Sequence, residues 1–388
     1  MDASLFISRR LKFKGGIVMT CIAVSFLVMI VAVSVSSGFR NEIRNGLSSL
    51  SGDIQITSPN LNVLDSSRPV ESDASYISHI ENVDGVRAVV PAVYRAGIIR
   101  QSGNIHGVLF KGIESFGDSV SLAVSIPDRL SEITGLTVGD KMTAYFIGEK
   151  TRLRQFNITS VHDALVEADD RLMVYARMSD LQRLDGWNAN QVSALEIVMD
   201  QSRRSESDIQ SATQEIGALV NAYSYDSESP VVATSSISKY PQLFDWLNLI
   251  DFNVFFILLL MTIVAGFNMI SGLLIMLFEN ISTIGLLKAL GMTDRAISKV
   301  FISSSAVLVL KGMAVGNAVA IFFCAIQQMT HILKLDPENY FVSYVPVHMD
   351  LGTILLADIA AFFCIMLLLL LPTLFISRVD PAQTVRVK

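Results

Sequence analysis

ENISTIGLLKALGMTDRAI, residues 279–297, has apolar residues at helical spacing and only a handful of charges. It joins two long apolar runs, so it cannot reach far from a membrane surface, and working outward from it decides the fold. The run before it, Phe252 to Phe278, contains no charged residue, and neither does Ile17 to Phe39. Val300 to Thr330 contains one, Lys311, and Leu351 to Ser377 contains one, Asp358. Each exceeds the roughly 20 residues needed to cross a bilayer core. The chain of 388 residues is 51% hydrophobic and 17% charged, with a mean hydropathy of +0.48, too apolar for an ordinary soluble protein. Its net charge of −6 and lack of a basic cluster argue against nucleic acid as a partner.

Short-loop Lys and Arg residues set the orientation. Arg9, Arg10, Lys12 and Lys14 precede the first run; Lys288, Arg295 and Lys299 follow the second; Arg378, Arg386 and Lys388 follow the fourth. Between the third and fourth stands Lys334, against Asp336, Glu338 and Asp350. The expected layout is a cytoplasmic N-terminus (1–16), a first span (17–39), an outer segment (40–251), a second span (252–278), a cytoplasmic connection (279–299), a third span (300–330), a short outer loop (331–350), a fourth span (351–377) and a cytoplasmic C-terminus (378–388). Ser34-Val35-Ser36 is a small-residue cleavage pattern, but the apolar region is longer than that of a signal peptide. Cys21, Cys324 and Cys364 all lie in spans, so the outer segment folds without disulfides.

The first two spans are expected to continue as helices beyond the bilayer. Phe39, Ile43, Leu47 and Leu50 form one stripe with polar Arg40, Glu42 and Arg44 between them, and Gly52 is a stop. Pro241 suits a first helical turn, and Leu243, Trp246, Leu247 and Ile250 make a matching stripe. A helix from Pro241 to Phe278 is about 57 Å long, against a hydrocarbon core of about 30 Å. Two such helices would stand out as a stalk carrying an outer α+β domain. Within that domain, Asp53–Thr57 alternates around Ile54 and Ile56. Ala96–Gln101 and Asn104–Phe110 flank a Ser102-Gly103 hairpin turn. Gly139-Asp140 marks a turn before Met142–Ile147, and Ile209, Ala212, Ile216 and Leu219 give a helical stripe.

No nucleotide, metal or nucleophile motif is present. Gly112 and Gly117 have the outer spacing of a phosphate loop, but Asp118 follows where Lys is required. The histidines (His79, His106, His162, His331, His348) show no ligand spacing. No catalytic residue, cofactor site or metal site is assigned. Lys311 lies about 17 Å from the inner end of its span, and Asp358 about 12 Å from the outer end of its own. Intramembrane charges are costly and usually paired, so the matching depths predict an ion pair between Lys311 and Asp358.

The arrangement resembles the permease subunits of the type VII ABC superfamily, which includes the MacB, FtsX and lipoprotein-releasing (Lol) permeases. The resemblance rests on the 279–297 stretch, where Glu279, Ile281, Ile284, Gly285, Leu287, Lys288, Leu290 and Gly291 match a pattern close to E-K-x-x-x-I-G-x-L-R-A-L-G. Asn280 replaces a basic residue there, and Lys288 replaces an arginine, which removes a bidentate donor. It is closest to the Lol permeases, on SGFRNEIRNGLSSLSGDIQI (37–56), VVPAVYRAGIIRQSGNIHGVLFKGIE (89–114), the stretch around Tyr340 to Pro346, and Arg378-Val379-Asp380-Pro381-Ala382.

The resemblance implies a multi-pass protein of the bacterial inner membrane with both termini cytoplasmic and a periplasmic domain. Residues 279–299 would carry a coupling helix docking on an ABC ATPase dimer, with ATP and Mg bound by that partner and no cofactor in this chain. Ile281, Ile284 and Leu287 are the apolar edge expected to dock. A second permease copy or paralogue would complete the dimer. The cargo would be lipoprotein, extracted from the outer leaflet and passed to a soluble periplasmic carrier. Met29, Ile30, Val33, Phe39 and Ile43, with Met261, Phe267 and Met269, are the expected acyl wall beside membrane lipid. By position, Leu165, Val166 and Glu167 fall in the carrier-contact loop. An FtsX-like mechanotransmitter acting on a cell-wall hydrolase and a MacB-like exporter subunit are the alternatives.

Overall fold

In the computed structural model, the structure describes residues 16–59, 68–101, 103–114, 116, 121–148, 151–162, 172–225, 229–336 and 340–373. The chain divides into two compact units. One comprises residues 1–41, 246–335 and 344–388; the other comprises 42–245 and 336–343. The division falls inside the first two long helices.

Among the described residues, the helical unit is built on four helices long and apolar enough to cross a membrane. The first, α1 (Gly16–Ser51), has 36 residues, about 54 Å at 1.5 Å each. It ends where Gly52 adopts φ +71° and its N–H bonds back to Ser48 O at 2.9 Å, a conformation glycine takes without strain.

The strand-rich unit follows in chain order. Its first elements are β1 (Ile54–Thr57), β2 (Val70–Glu71), α2 (Ile77–Ile80), β3 (Val86–Gln101), β4 (Asn104–Ile113), β5 (Ala123–Pro127) and α3 (Asp128–Thr134). Then come β6 (Lys141–Phe146), β7 (Arg152–His162), β8 (Leu172–Arg177), α4 (Met178–Asp185), β9 (Gln191–Val192), β10 (Ala194–Met199), α5 (Glu206–Tyr223), β11 (Val232–Ser235) and α6 (Ser236–Lys239). The remaining helices are α7 (Pro241–Glu279), α8 (Ile281–Ala289), α9 (Asp294–Thr330), α10 (Leu351–Leu368) and α11 (Leu370–Thr373).

Nine strands pair in the order β11-β1-β10-β3-β4-β8-β5-β7-β6. The long β3 serves two sheets. Its first half pairs antiparallel with β10, and from Val93 onward it pairs antiparallel with β4. Ile98 and Ile99 also meet Tyr145 and Ala144 of β6, so β3, β4, β8, β5, β7 and β6 close on themselves. Phe110, Phe146 and Phe156 fill that enclosure, with ring centroids 5.0 to 6.1 Å apart. Gly97 lies against them, since a Cβ there would meet Phe110 at 2.9 Å.

The hairpin expected around residue 103 forms, with Gln101 opposite Asn104 and Gly103 at φ +88°. The turn at Gly139 (φ +99°) also forms, leading into β6. In α5, Ile209, Ala212, Ile216 and Val220 face the core, with Leu219 partly buried beside them. The alternation read for Asp53–Thr57 is corrected. All of β1 is buried, because it sits between β10 and β11 and is covered on both faces.

Candidate functional site

The connection between α7 and α9 begins where α7 ends at Glu279. Asn280 breaks the helix, its Nδ2 donating to Met276 O at 2.9 Å. Helix α8 is closed by Gly291 at φ +88°, with bonds from Gly291 N–H to Lys288 O and from Met292 N–H to Leu287 O. Thr293 then caps α9 by accepting from Ala296 N–H.

Here the structure revises the apolar edge. Ile284 is buried and Leu287 half-buried against the helical core, and Gly285 is buried too. Of that edge only Ile281 is exposed. The apolar side chains turned outward are Leu286 and Leu290, 57% and 75% exposed, one helical turn apart. Glu279 and Gly291 are also exposed. Lys288 is not a free charge, because its Nζ lies 2.9 Å from Asp294 Oδ1 and its side chain is only 10% exposed. The periodicity explains the change. Residues 284, 287 and 288 share the side of α8 facing its own chain, which leaves 286 and 290 uncovered.

The expected acyl wall also changes. Met29 and Met269 pack with Ile22, Phe26, Ala265 and Leu273 in the core of the helical unit, with Met261 partly buried against them. Ile30 packs on Ala320 and Ile354, while Val33, Phe39 and Ile43 are buried. Only Phe267 of that set is exposed. The outward apolar face of α7 consists instead of Phe252, Phe255, Phe256, Leu259, Leu260 and Ile263, continuing to Phe267. Next to this face α1 and α7 are tied by polar groups. Arg40 pairs with Asp251, Ser36 Oγ donates to Asp251 Oδ1 at 2.6 Å, and Phe39 meets Trp246 edge to face at 5.4 Å.

Lys311 and Asp358 do not pair. Asp358 is buried and accepts from Asn317 Nδ2 at 2.5 Å, while Lys311 lies on the exposed side of α9. Similar depth places two residues in one layer but does not aim them at each other. Leu165, Val166 and Glu167 of the carrier-contact loop, and the closing segment 378–388, lie outside the described residues.

Two features escaped the sequence reading. Gly312 and Gly316 of α9 face α1, where a Cβ on Gly316 would sit 2.4 Å from Ala23 O. The signal was the small-xxx-small spacing in an apolar run. The second is a buried charge cluster at the end of α1. Lys111 Nζ donates to Ser49 O (2.9 Å), Leu50 O (3.0 Å) and Glu196 Oε2 (2.9 Å). Tyr94 Oη lies 2.9 Å from Leu50 O and also bonds Glu196. Burial pushes the Glu196 carboxyl up, against the Lys111 ammonium that lowers it. Burial, then the Glu196 charge, pushes the Tyr94 hydroxyl well above its usual range. The signal was a single charge inside each of two apolar strands, VLFKGI and ALEIVM. Among the described residues, no group of His, Cys, Asp and Glu is arranged to hold a metal.

Residues 255–381 match the family model "FtsX-like permease C-terminal". The chain is 25% identical to the lipoprotein-releasing system transmembrane protein LolC of Neisseria meningitidis serogroup B, over 94% of this chain and 92% of the relative. It is 21% identical to the protein of the same description from Xylella fastidiosa, with the same shares covered. The periplasmic region of MacB from Actinobacillus actinomycetemcomitans overlaps 50% of this chain and 95% of its own length, at 14% identity and a TM-score of 0.31, a likeness too slight to add weight. Residues 255–381 are thus similar to the FtsX-like permease C-terminal region, and the chain is similar along nearly its whole length to the lipoprotein-releasing permease LolC.

Proposed function

We propose that this chain is the membrane subunit of an ABC transporter that extracts lipoproteins from the outer leaflet of the inner membrane for a periplasmic carrier. ATP and Mg are bound and hydrolysed by a partner ATPase. Both termini and the α7–α9 connection are cytoplasmic, and the strand-rich unit is periplasmic, held up by α1 and α7 as a stalk. A second permease, identical or paralogous, completes the dimer. The single observation that carries the reading is the similarity to LolC over 94% of the chain, which includes both the strand-rich unit and the spans.

The geometry supports the coupling part. Leu286 and Leu290 present apolar surface on a short connection that its own helices leave uncovered. An ATPase groove is the occupant this reading assigns. The test is purification from native membranes in mild detergent with mass spectrometry of what co-elutes. An ATPase together with triacylated lipoprotein is expected, and Leu290→Asp should abolish ATPase co-elution without loss of the chain from the membrane. Co-elution of a cell-wall hydrolase without lipoprotein would replace the release reading with the mechanotransmitter, and an ATPase retained by Leu290→Asp would sink the assigned docking face.

A further inference from the structure

The last two turns of α1 are held by charge as well as by apolar packing. Arg204, which stands just before α5, spreads its guanidinium over them. Its Nη1 donates to Asn45 Oδ1 at 2.8 Å, its Nη2 to Ser48 Oγ at 2.7 Å, and its Nε to Asp53 Oδ2 at 3.1 Å. Asp53 also accepts from Met199 N–H (2.8 Å) and Ser48 Oγ (3.1 Å), joining helix end and β10 through one carboxylate. Glu196 of β10 accepts from the Lys111 ammonium, which arrives from β4 and donates to Ser49 O and Leu50 O, while Tyr94 of β3 reaches Leu50 O. Those are carbonyls that a helix end leaves without intrahelical partners. The negative end of the macrodipole adds to their pull on an ammonium.

We propose that Lys111, Glu196 and Arg204 are positioning residues that fix residues 45–50 of α1 to the sheet, so that displacement of α1 passes undiminished into the strand-rich unit. The use of displacement rests on the transport reading above; the fixing itself does not. Apolar contact is non-directional and lets a helix slide. Directed bonds from β4 and β3 to the same few carbonyls do not, and those from the Lys111 ammonium are charge-assisted and stronger than neutral ones. The turn at Gly52 keeps the joint short. A Cβ there would meet Glu196 Cβ at 3.0 Å and Ile197 N at 3.1 Å, so β1 starts against the cluster with no slack between.

The same unit supplies a control. Arg95 and Asp185 are also a buried ion pair, 3.5 Å apart, and Arg95 donates to Ile147 O, away from α1. The experiment is hydrogen exchange on the full-length chain in detergent, comparing wild type with Lys111→Met and Arg95→Met. Lys111→Met should speed exchange of amides 47–51 at least about tenfold while β1 and β10 stay protected. Arg95→Met should leave 47–51 unchanged. Equal exchange in Lys111→Met and wild type, or equal acceleration by Arg95→Met, overturns the proposal. Should Lys111→Met fail to fold, Arg204→Lys keeps the charge, loses the fork, and is expected to speed amides 45–48; unchanged amides there overturn the proposal equally. With the partner ATPase, Lys111→Met should lower lipoprotein release at least about tenfold with ATP hydrolysis within about twofold of wild type. If no partner or cargo exists, the transport reading fails while the exchange result still decides the joint.

Discussion

Replacing Gly316 by alanine sets two effects of opposite sign against each other. Helix propensity alone favours alanine over a mid-helix glycine by about 1 kcal/mol. Packing opposes it. The added Cβ would lie 2.4 Å from Ala23 O and 3.0 Å from Phe26 Cβ. The nearest atom belongs to the backbone of α1, so no rotamer change relieves it. Restoring a carbon–oxygen contact of about 3.3 Å requires α1 and α9 to separate by about 0.9 Å. A gap of about 0.5–1 Å forfeits a quarter to a half of each dispersion well along the seam. Overpacking of this kind costs about 1–3 kcal/mol, which offsets the propensity gain of about 1 kcal/mol, so Gly316→Ala should destabilise the helical unit by a net of about 0–2 kcal/mol. Gly312→Ala should cost less, because its nearest atoms, at 2.7 and 2.9 Å, are on the Ile22 side chain. Unfolding by SDS titration in mixed micelles, read by Trp246 fluorescence in a Trp187→Phe background, measures both. A Gly316→Ala protein more stable than wild type by about the 1 kcal/mol that helix propensity alone predicts would refute the close α1–α9 seam.

Two further outcomes are expected from the same structure. Asp358→Ala leaves the half-buried Asn317 amide without its partner and should cost about 1–3 kcal/mol, whereas Lys311→Met should be near neutral in the same titration; equal losses would restore the ion pair. Ser205 and Asp208 form a capping box at α5, and bonds from Ser205 hold the Asp208 carboxyl below its usual range. A depressed carboxyl stabilises above its unfolded pKa and loses that contribution as pH falls through the folded value. Ser205→Ala removes the cap and should therefore lower stability at neutral pH and flatten the acid side of a thermal-melt series; an unchanged acid slope would count against the cap.

Much of the framework was legible because it depends on local pattern. Apolar runs with at most one charge each gave four long helices, Gly52 and Pro241 marked helix ends, and turn glycines placed the β3–β4 hairpin and the start of β6. The closure of β3 on β6 was not, since Ile98 meets Tyr145 by a pairing that no local signal encodes. The ion cluster was half legible. A lone Lys111 or Glu196 in an apolar strand announces that a partner exists, but strand order decides which.

The spans show a sharper limit. Helix α7 is apolar all round, so its sequence does not separate Met269, in the core, from Phe267, 65% exposed and two residues away. Hydropathy reports depth along a helix and says nothing of azimuth. Lys311 and Asp358 were matched by depth, and azimuth separates them. At about 100° per residue, Asn317 and Lys311 sit about 120° to either side of the line through Gly312 and Gly316. Those glycines face α1, which turns Asn317 toward Asp358 and Lys311 away. In a helix without a polar face, the small residues that admit a neighbour carry the azimuthal information, and Gly312-Met313-Ala314-Val315-Gly316 held it here.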